Sequence, residues 1–230
     1  MVLTLDEIGL KHEIERDSRD RGGDKASSGQ DYLSDYDEIL GGLRNKELKF
    51  LEVGVFQGKS LAVWTTYFTK ASVWGIDVDL SRFESKLPEL KRAGSFGEGT
   101  CPLTTRVVDS TSKTSVENAS LPVFDVILDD GLHTGRAQAD TFRNLFEKHL
   151  APGGVYIVED THANESYSFF KRFADSVSCF DSRDKGEHES SLLGKEKIDE
   201  HFKGIKDPVQ RLVKSVQFLR RRVIIKRQQW

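Results

Sequence analysis

A chain of 230 residues, 37% hydrophobic and 31% charged, is long enough for one α/β domain around a single core. Its formal charge of −3 does not suggest a nucleic-acid partner, and no apolar run approaches the roughly 20 residues that cross a bilayer. Residues Met1–Glu7 lack the basic and apolar regions of a secretion signal, and Cys101 and Cys179 make no metal or disulfide framework. A cytoplasmic location is expected, with peripheral attachment to a membrane left open.

In chain order, residues 1–30 read as a flexible N-terminal arm, because 11–30 are polar and rich in charge, Gly and Ser. Residues 31–230 read as one domain. A helix is expected from Asp31 to Leu40, stopped by Gly41-Gly42. Apolar runs then alternate with helical spacing. The runs are Phe50–Val53, Val73–Ile76, Thr105–Val108, Phe124–Leu128 and Val155–Val158, and the helical segments are 59–69, 81–93 and 134–149. Near-continuous apolar runs are what parallel strands covered on both faces require. The fold class is therefore α/β, a doubly wound Rossmann-like, mostly parallel sheet. Trp64, Tyr67 and Phe68 share one helical face and read as core, as do Ala137, Phe142, Leu145, Phe146 and Leu150. Residues from Cys179 to Lys206 read as a long surface loop or lid. The tail reads as an antiparallel hairpin, Ser215–Leu219 and Arg222–Lys226, because Val223-Ile224-Ile225 is a β-branched run. Arg220-Arg221-Arg222 would be its solvated turn.

Two features carry chemistry. The first strand runs into Glu52-Val53-Gly54-Val55-Phe56-Gln57-Gly58-Lys59-Ser60, and the second ends at Asp77. Glycines let the backbone turn tightly and approach a ligand, and an acid at the second strand's tip can accept hydrogen bonds from ribose hydroxyls. Phe56 breaks the Gly-x-Gly-x-x-Gly dinucleotide fingerprint, so the looser loop suits a nucleoside with an amino-acid tail better than NAD. The second feature is a pair of acidic clusters, Asp129-Asp130-Gly131-Leu132-His133 and Val158-Glu159-Asp160, each following a strand. Parallel neighbours lie about 5 Å apart and end on the same sheet edge, so the clusters converge. Four carboxylates in one place would repel without a cation, which points to a hard divalent ion. Singly, Asp129 or Asp130 could cap the following helix, and Asp129 is the member most suited to a structural role. His133 could be a base or a helix cap, and His162 is an alternative base or substrate contact.

With Gly23-Asp24-Lys25 and the following Tyr32 and Tyr36, then Leu51–Gly54, Gly58–Ser60, Trp74–Asp77, the two acidic clusters and the Ser215–Lys226 hairpin, the sequence resembles the class I S-adenosylmethionine-dependent methyltransferases. More narrowly it resembles the metal-dependent sugar O-methyltransferases of the mycinamicin 2''-O-methyltransferase type. It departs from them at Leu132, commonly Ser in that family, and the macrolide enzyme's larger auxiliary domain is not expected here. The resemblance implies Mg²⁺ held by Asp130, Glu159 and Asp160, with His133 taking the proton from a sugar hydroxyl. It implies S-adenosyl-L-methionine bordered by Glu52, Gly54, Gly58 and Asp77, with Asp109 near the adenine and Ser60 near the methionine carboxylate. Lys25 or Tyr32 would close over the cofactor.

The expected function is S-adenosylmethionine- and Mg²⁺-dependent methylation of a sugar hydroxyl, in a glycolipid, polysaccharide or natural-product glycoside. A catechol-like acceptor is the alternative, since it too chelates through adjacent oxygens, and a hydroxylase-type relative is a further one. Against non-haem iron, the cluster lacks the two-histidine, one-carboxylate face. The expected partners are a sugar-containing small molecule or glycolipid, with a homo-oligomer left open.

Overall fold

The computed structural model describes residues 2–12, 25–27, 29–161, 164–178 and 208–229. Seven strands form one sheet in the order β3-β2-β1-β4-β5-β7-β6: β1 Leu48–Val53, β2 Ala71–Asp77, β3 Leu103–Val107, β4 Phe124–Asp129, β5 Leu150–Val158, β6 Val213–Leu219 and β7 Arg222–Arg227. β1 to β5 pair in parallel, and β7 runs antiparallel to both β5 and β6. The expected fold class and C-terminal hairpin are therefore found. Among the described residues, no helix is long and apolar enough to cross a membrane.

Alternate strand residues feed two cores, one per face, as a period of two requires. Phe50, Val126, Leu128, Ile157 and Ile224 join one cluster, while Leu51, Ile127, Tyr156, Val158 and Ile225 join the other. The first is completed by Trp64, Tyr67 and Phe68, buried as expected from α3, Lys59–Tyr67, and its exit. The second contains the expected stripe of α6, Gly135–His149, with Phe142, Leu145 and Phe146 fully buried.

Three helices stand where no helix was expected. α1, Leu5–His12, packs against α3 with Leu5 and Ile8 buried, so part of the segment read as an arm is core. Its apolar positions fall three apart, but over only two turns. α5, Lys113–Asn118, has six residues and is started by the Ser112 side chain, which accepts from the Ser115 amide. α7, Asn164–Ser178, turns Phe169, Phe170 and Phe173 towards Phe142. α2, Tyr32–Leu40, and α4, Ser81–Arg92, lie where expected. Pro152-Gly153-Gly154, a turn signal in the sequence, does not break the chain into a turn. It sits inside β5, where the β4 register shifts between Phe124 and Val126. Residues 1, 13–24 and 28 of the arm and all of the Cys179–Lys206 segment lie outside the described residues, as does His162.

The strand order reverses between β1 and β4, and there the loops after the two strands touch. The Asp130 amide donates to the Val53 carbonyl at 2.9 Å. Gly54 has φ +89°, and a Cβ on it would stand 2.1 Å from the Asp130 carbonyl oxygen. Gly94 has a similar φ of +87° with nothing within 4 Å of its missing Cβ. Gly94→Ala should therefore cost only backbone strain, about 1–2 kcal/mol. Gly54→Ala should cost clearly more, because backbone must move as well. Urea unfolding of both variants checks this, and equal losses would contradict the close crossing.

Candidate functional site

A cavity of about 740 Å³ opens along the carboxyl ends of β1, β2 and β4. Its wall includes the Gly54–Ser60 loop, Asp77 and Val78 after β2, Val108–Thr111 after β3, and Asp130–His133 with Asp160. His12 from α1 and Lys25, Ala26 and Leu33 close it on the N-terminal side.

The glycine loop is shaped mainly by protein contacts. Gly58, with φ +80°, leaves room for the Phe83 ring, 2.3 Å from where a Cβ would be. Asp77 Oδ2 accepts from the amides of Val55 and Phe56 at 2.8 and 3.0 Å, pinning the loop to the tip of β2. Asp109 Oδ1 accepts from the amide and hydroxyl of Thr111, at 3.0 and 2.6 Å. Both acids line the cavity, as a nucleoside site would require. Ser60 lines it too, but its hydroxyl donates to Glu52 Oε1 at 2.5 Å. Glu52 is fully buried behind the wall, and burial pushes its carboxyl up to about 7 against the opposing charge of Lys25.

The two acidic clusters meet as adjacent parallel strands should. Asp129 pairs with Val158 in register, and the Glu159 amide donates to the Asp129 carbonyl at 2.9 Å. Asp129 turns away from the cavity. It is buried, accepts from Tyr156 at 3.3 Å, and is pushed by burial up to about 7. Asp160 holds φ +51°, a left-handed conformation that Asp tolerates better than most residues. That bend turns its side chain towards β4. Its flanks are fixed: the Glu159 carbonyl accepts from Gln138 Nε2 at 2.7 Å, and the Thr161 amide donates to the Arg221 carbonyl at 2.9 Å.

Asp130, His133 and Asp160 each place one donor atom within 4.8 Å of the others. His133 Nε2 stands 3.8 Å from Asp130 Oδ1 and 3.7 Å from Asp160 Oδ2. The helix that follows is capped by Thr134, which accepts from the Ala137 amide, rather than by either aspartate. Glu159 stands behind this trio. Its Oε1 accepts from Tyr36 at 2.7 Å, and its Oε2 accepts from Lys25. The Lys25 ammonium also reaches Asp130 Oδ2 at 2.5 Å, and Tyr32 donates to Asp160 Oδ1 at 2.8 Å. Burial raises the carboxyls of Asp130, to about 6, and Glu159, to about 8, with Lys25 opposing both shifts. Burial disfavours the Lys25 charge, yet Asp130, Glu159 and Glu52 outweigh it and hold that amine well above its ordinary value.

Lys25 and Tyr32, expected over the cofactor, thus bind the acidic centre, and Lys25 also lines the cavity. Arg222 is the residue that sequence reading misplaced. It is 2% exposed rather than a solvated turn residue. Its guanidinium lies 4.1 Å from the Tyr32 ring centroid and 5.3 Å from that of Tyr36, and it donates to the Tyr32 carbonyl and to Asp35. Two tyrosines one helical turn apart with an acid between them were the available signal. His12 was also missed. Its Nε2 contacts Thr66 Oγ1 at 3.0 Å and its Nδ1 contacts Ser95 Oγ at 3.2 Å, which fixes α1 over the cavity.

Residues 51–161 match the family model described as a methyltransferase domain. The chain is 29% identical over 165 residues to the L-olivosyl-oleandolide 3-O-methyltransferase of Streptomyces antibioticus, covering 68% of this chain and 37% of that one. It is 28% identical over 132 residues to the mycinamicin VI 2''-O-methyltransferase of Micromonospora griseorubida, covering 54% and 30%. The matched segments thus span about a third of these relatives' own length. Among solved structures, the MycE methyltransferase of mycinamycin biosynthesis, in complex with Mg and SAH, superposes with a TM-score of 0.68 at 17% identity, covering 99% of this chain and 55% of that one. The SAH-bound methyltransferase PaMTH1 of Podospora anserina gives 0.54 at 18% identity, covering 98% and 87%. Over residues 51–161 the chain is similar to the methyltransferase-domain family, and the sheet order and superpositions give it the Rossmann-like fold of class I S-adenosylmethionine-dependent methyltransferases.

Proposed function

We propose that this chain is an S-adenosylmethionine- and Mg²⁺-dependent O-methyltransferase that acts on a hydroxyl of a sugar. The observation that carries the reading is the shared wall: Asp130, His133 and Asp160 line the same cavity as the Gly54–Ser60 loop, Asp77 and Asp109. A nucleoside held by that loop and those two acids would place its sulfonium methyl towards the acidic end. The relatives named above, an L-olivosyl-oleandolide 3-O-methyltransferase and a mycinamicin VI 2''-O-methyltransferase, support the acceptor class, as does an 8-demethyl-8-alpha-L-rhamnosyl tetracenomycin-C 2'-O-methyltransferase of Streptomyces olivaceus.

The oxygen donors fit a hard divalent ion. Asp130 and Asp160 would hold it, with Glu159 as the third carboxylate once its Oε2 is released. When bound, Mg²⁺ supplies open positions for vicinal hydroxyls and lowers the pKa of the one that reacts. His133 Nε2, set between Asp130 and Asp160, takes the hydroxyl proton, and the two flanking carboxylates stabilise the imidazolium that forms. Tyr32 fixes the second oxygen of Asp160 and so orients that carboxylate. The exposed Leu132, beside His133 on the cavity wall, offers an apolar contact for the acceptor's aglycone.

Asp130→Asn and Asp160→Asn should each lower Mg²⁺-stimulated methylation by about 100-fold or more, while calorimetric binding of S-adenosylhomocysteine stays within a few-fold of wild type. Loss of cofactor binding together with activity would show that the acids serve the cofactor site instead. His133→Ala should lower kcat by about 10²–10⁴ and leave Mn²⁺ affinity unchanged. A fall in Mn²⁺ affinity would make His133 a ligand rather than the base. Mass spectrometry of products from a panel of glycosides and catechols should show methylated glycosides, and methylation of catechols alone would transfer the function to the aromatic alternative.

A further inference from the structure

We propose that Lys25 is a tethered cation that holds the seat of the divalent ion, and that loading the ion requires its ammonium to leave the space between Asp130 and Glu159. The inference rests on the metal site proposed above. Lys25 Nζ contacts one oxygen of each of these carboxylates, which come from the tips of two neighbouring strands. Its side chain is only 10% exposed, so the charge is committed to this pair. A divalent ion held by Asp130 and Asp160 that also drew on Glu159 Oε2 would compete with the ammonium for that oxygen, and an ammonium and a dication sharing it would repel at contact distance.

The surroundings allow the exchange without unfolding. The Lys25 carbonyl accepts from the Tyr32 and Leu33 amides at 2.7 and 3.1 Å, so the backbone of Lys25 serves the otherwise unpaired first turn of α2. Only the unbranched four-carbon stem has to swing, and it borders the cavity. The side chains of Tyr32, Tyr36 and Arg222 keep their places, because their contacts do not pass through the Lys25 ammonium. Lys25 would thus neutralise the acids before loading, and its departure would be the cost that sets the metal affinity. A bound ion also receives a favourable term from Glu159, whose Oε2 accepts from the Lys25 ammonium before loading.

Two measurements on the full chain without cofactor test this. Titration with MnCl₂ should show Lys25→Met binding at least ten-fold more tightly than wild type. In the wild type, acetylation of Lys25 by an N-hydroxysuccinimide ester, read by mass spectrometry, should rise several-fold when MgCl₂ saturates the site. Equal Mn²⁺ affinity in the two proteins would overturn the role of Lys25 and leave the metal site standing. Tighter binding with unchanged acetylation would reduce Lys25 to a repelling neighbour and overturn displacement. Absence of Mn²⁺ binding in both proteins would remove the metal site and this inference together. Should Lys25→Met fail to fold, the acetylation of the wild type decides alone.

Discussion

The structure turns on negative charge gathered at one place. Parallel pairing sets Asp130 beside Glu159, and the turn at Asp160 adds a third carboxylate, with Glu52 close behind the wall. Two like charges about 4 Å apart at a protein-like dielectric repel by about 4 kcal/mol, so such a cluster persists only with compensation. The compensation comes from the N-terminal part of the chain: an ammonium from Lys25 and hydroxyl donors from Tyr32 and Tyr36. Arg222 lies across the faces of both tyrosines and ties the start of α2 to β7. Hydrogen bonds that satisfy buried carboxylates also fix their directions, so the groups that make the cluster tolerable also pre-orient it.

The glycine loop shows a different economy. Gly54 is required by the passage of the Asp130 backbone, and Gly58 by the Phe83 ring. Neither glycine needs a ligand to explain it, so the loop is built before any nucleoside arrives. Asp77 contributes to the same end, with one oxygen holding the loop amides and the carboxylate still on the cavity wall. Because Gly54 meets Asp130, the glycine loop and the acidic wall are joined through backbone, and a shift in one is felt by the other.

Much of this was legible in the sequence because strong local patterns carried it. The apolar runs of β1, β2, β4 and β5 and the stripe of α6 are long enough for their periods to be read, and the β-branched Val223–Ile225 marked β7. The convergence of the two acidic clusters followed from parallel pairing, while the left-handed turn that aims Asp160 did not. What could not be read was whatever depends on tertiary partners. α1 and α5 are too short to show a period, whereas α7 carries a stripe of Phe169, Phe170, Phe173 and Val177 that was readable and was missed. Arg222 looks like part of a basic turn until the hairpin is folded against α2. Lys25 lies more than a hundred residues from both of its partners, and only the three-dimensional fold brings them together.

The position of those partners relative to the shared domain explains how one scaffold takes on a particular chemistry. The family match covers residues 51–161, which hold the glycine loop, Asp77, Asp109, Asp130, His133, Glu159 and Asp160. Lys25, Tyr32, Tyr36 and Arg222 all lie outside that span. In this chain residues 51–161 thus supply the acids and most of the cavity wall, while flanking segments decide how the acids are neutralised. In physical terms the flanks set the free energy of placing a cation among these acids, and a change of one donor among them would alter that free energy.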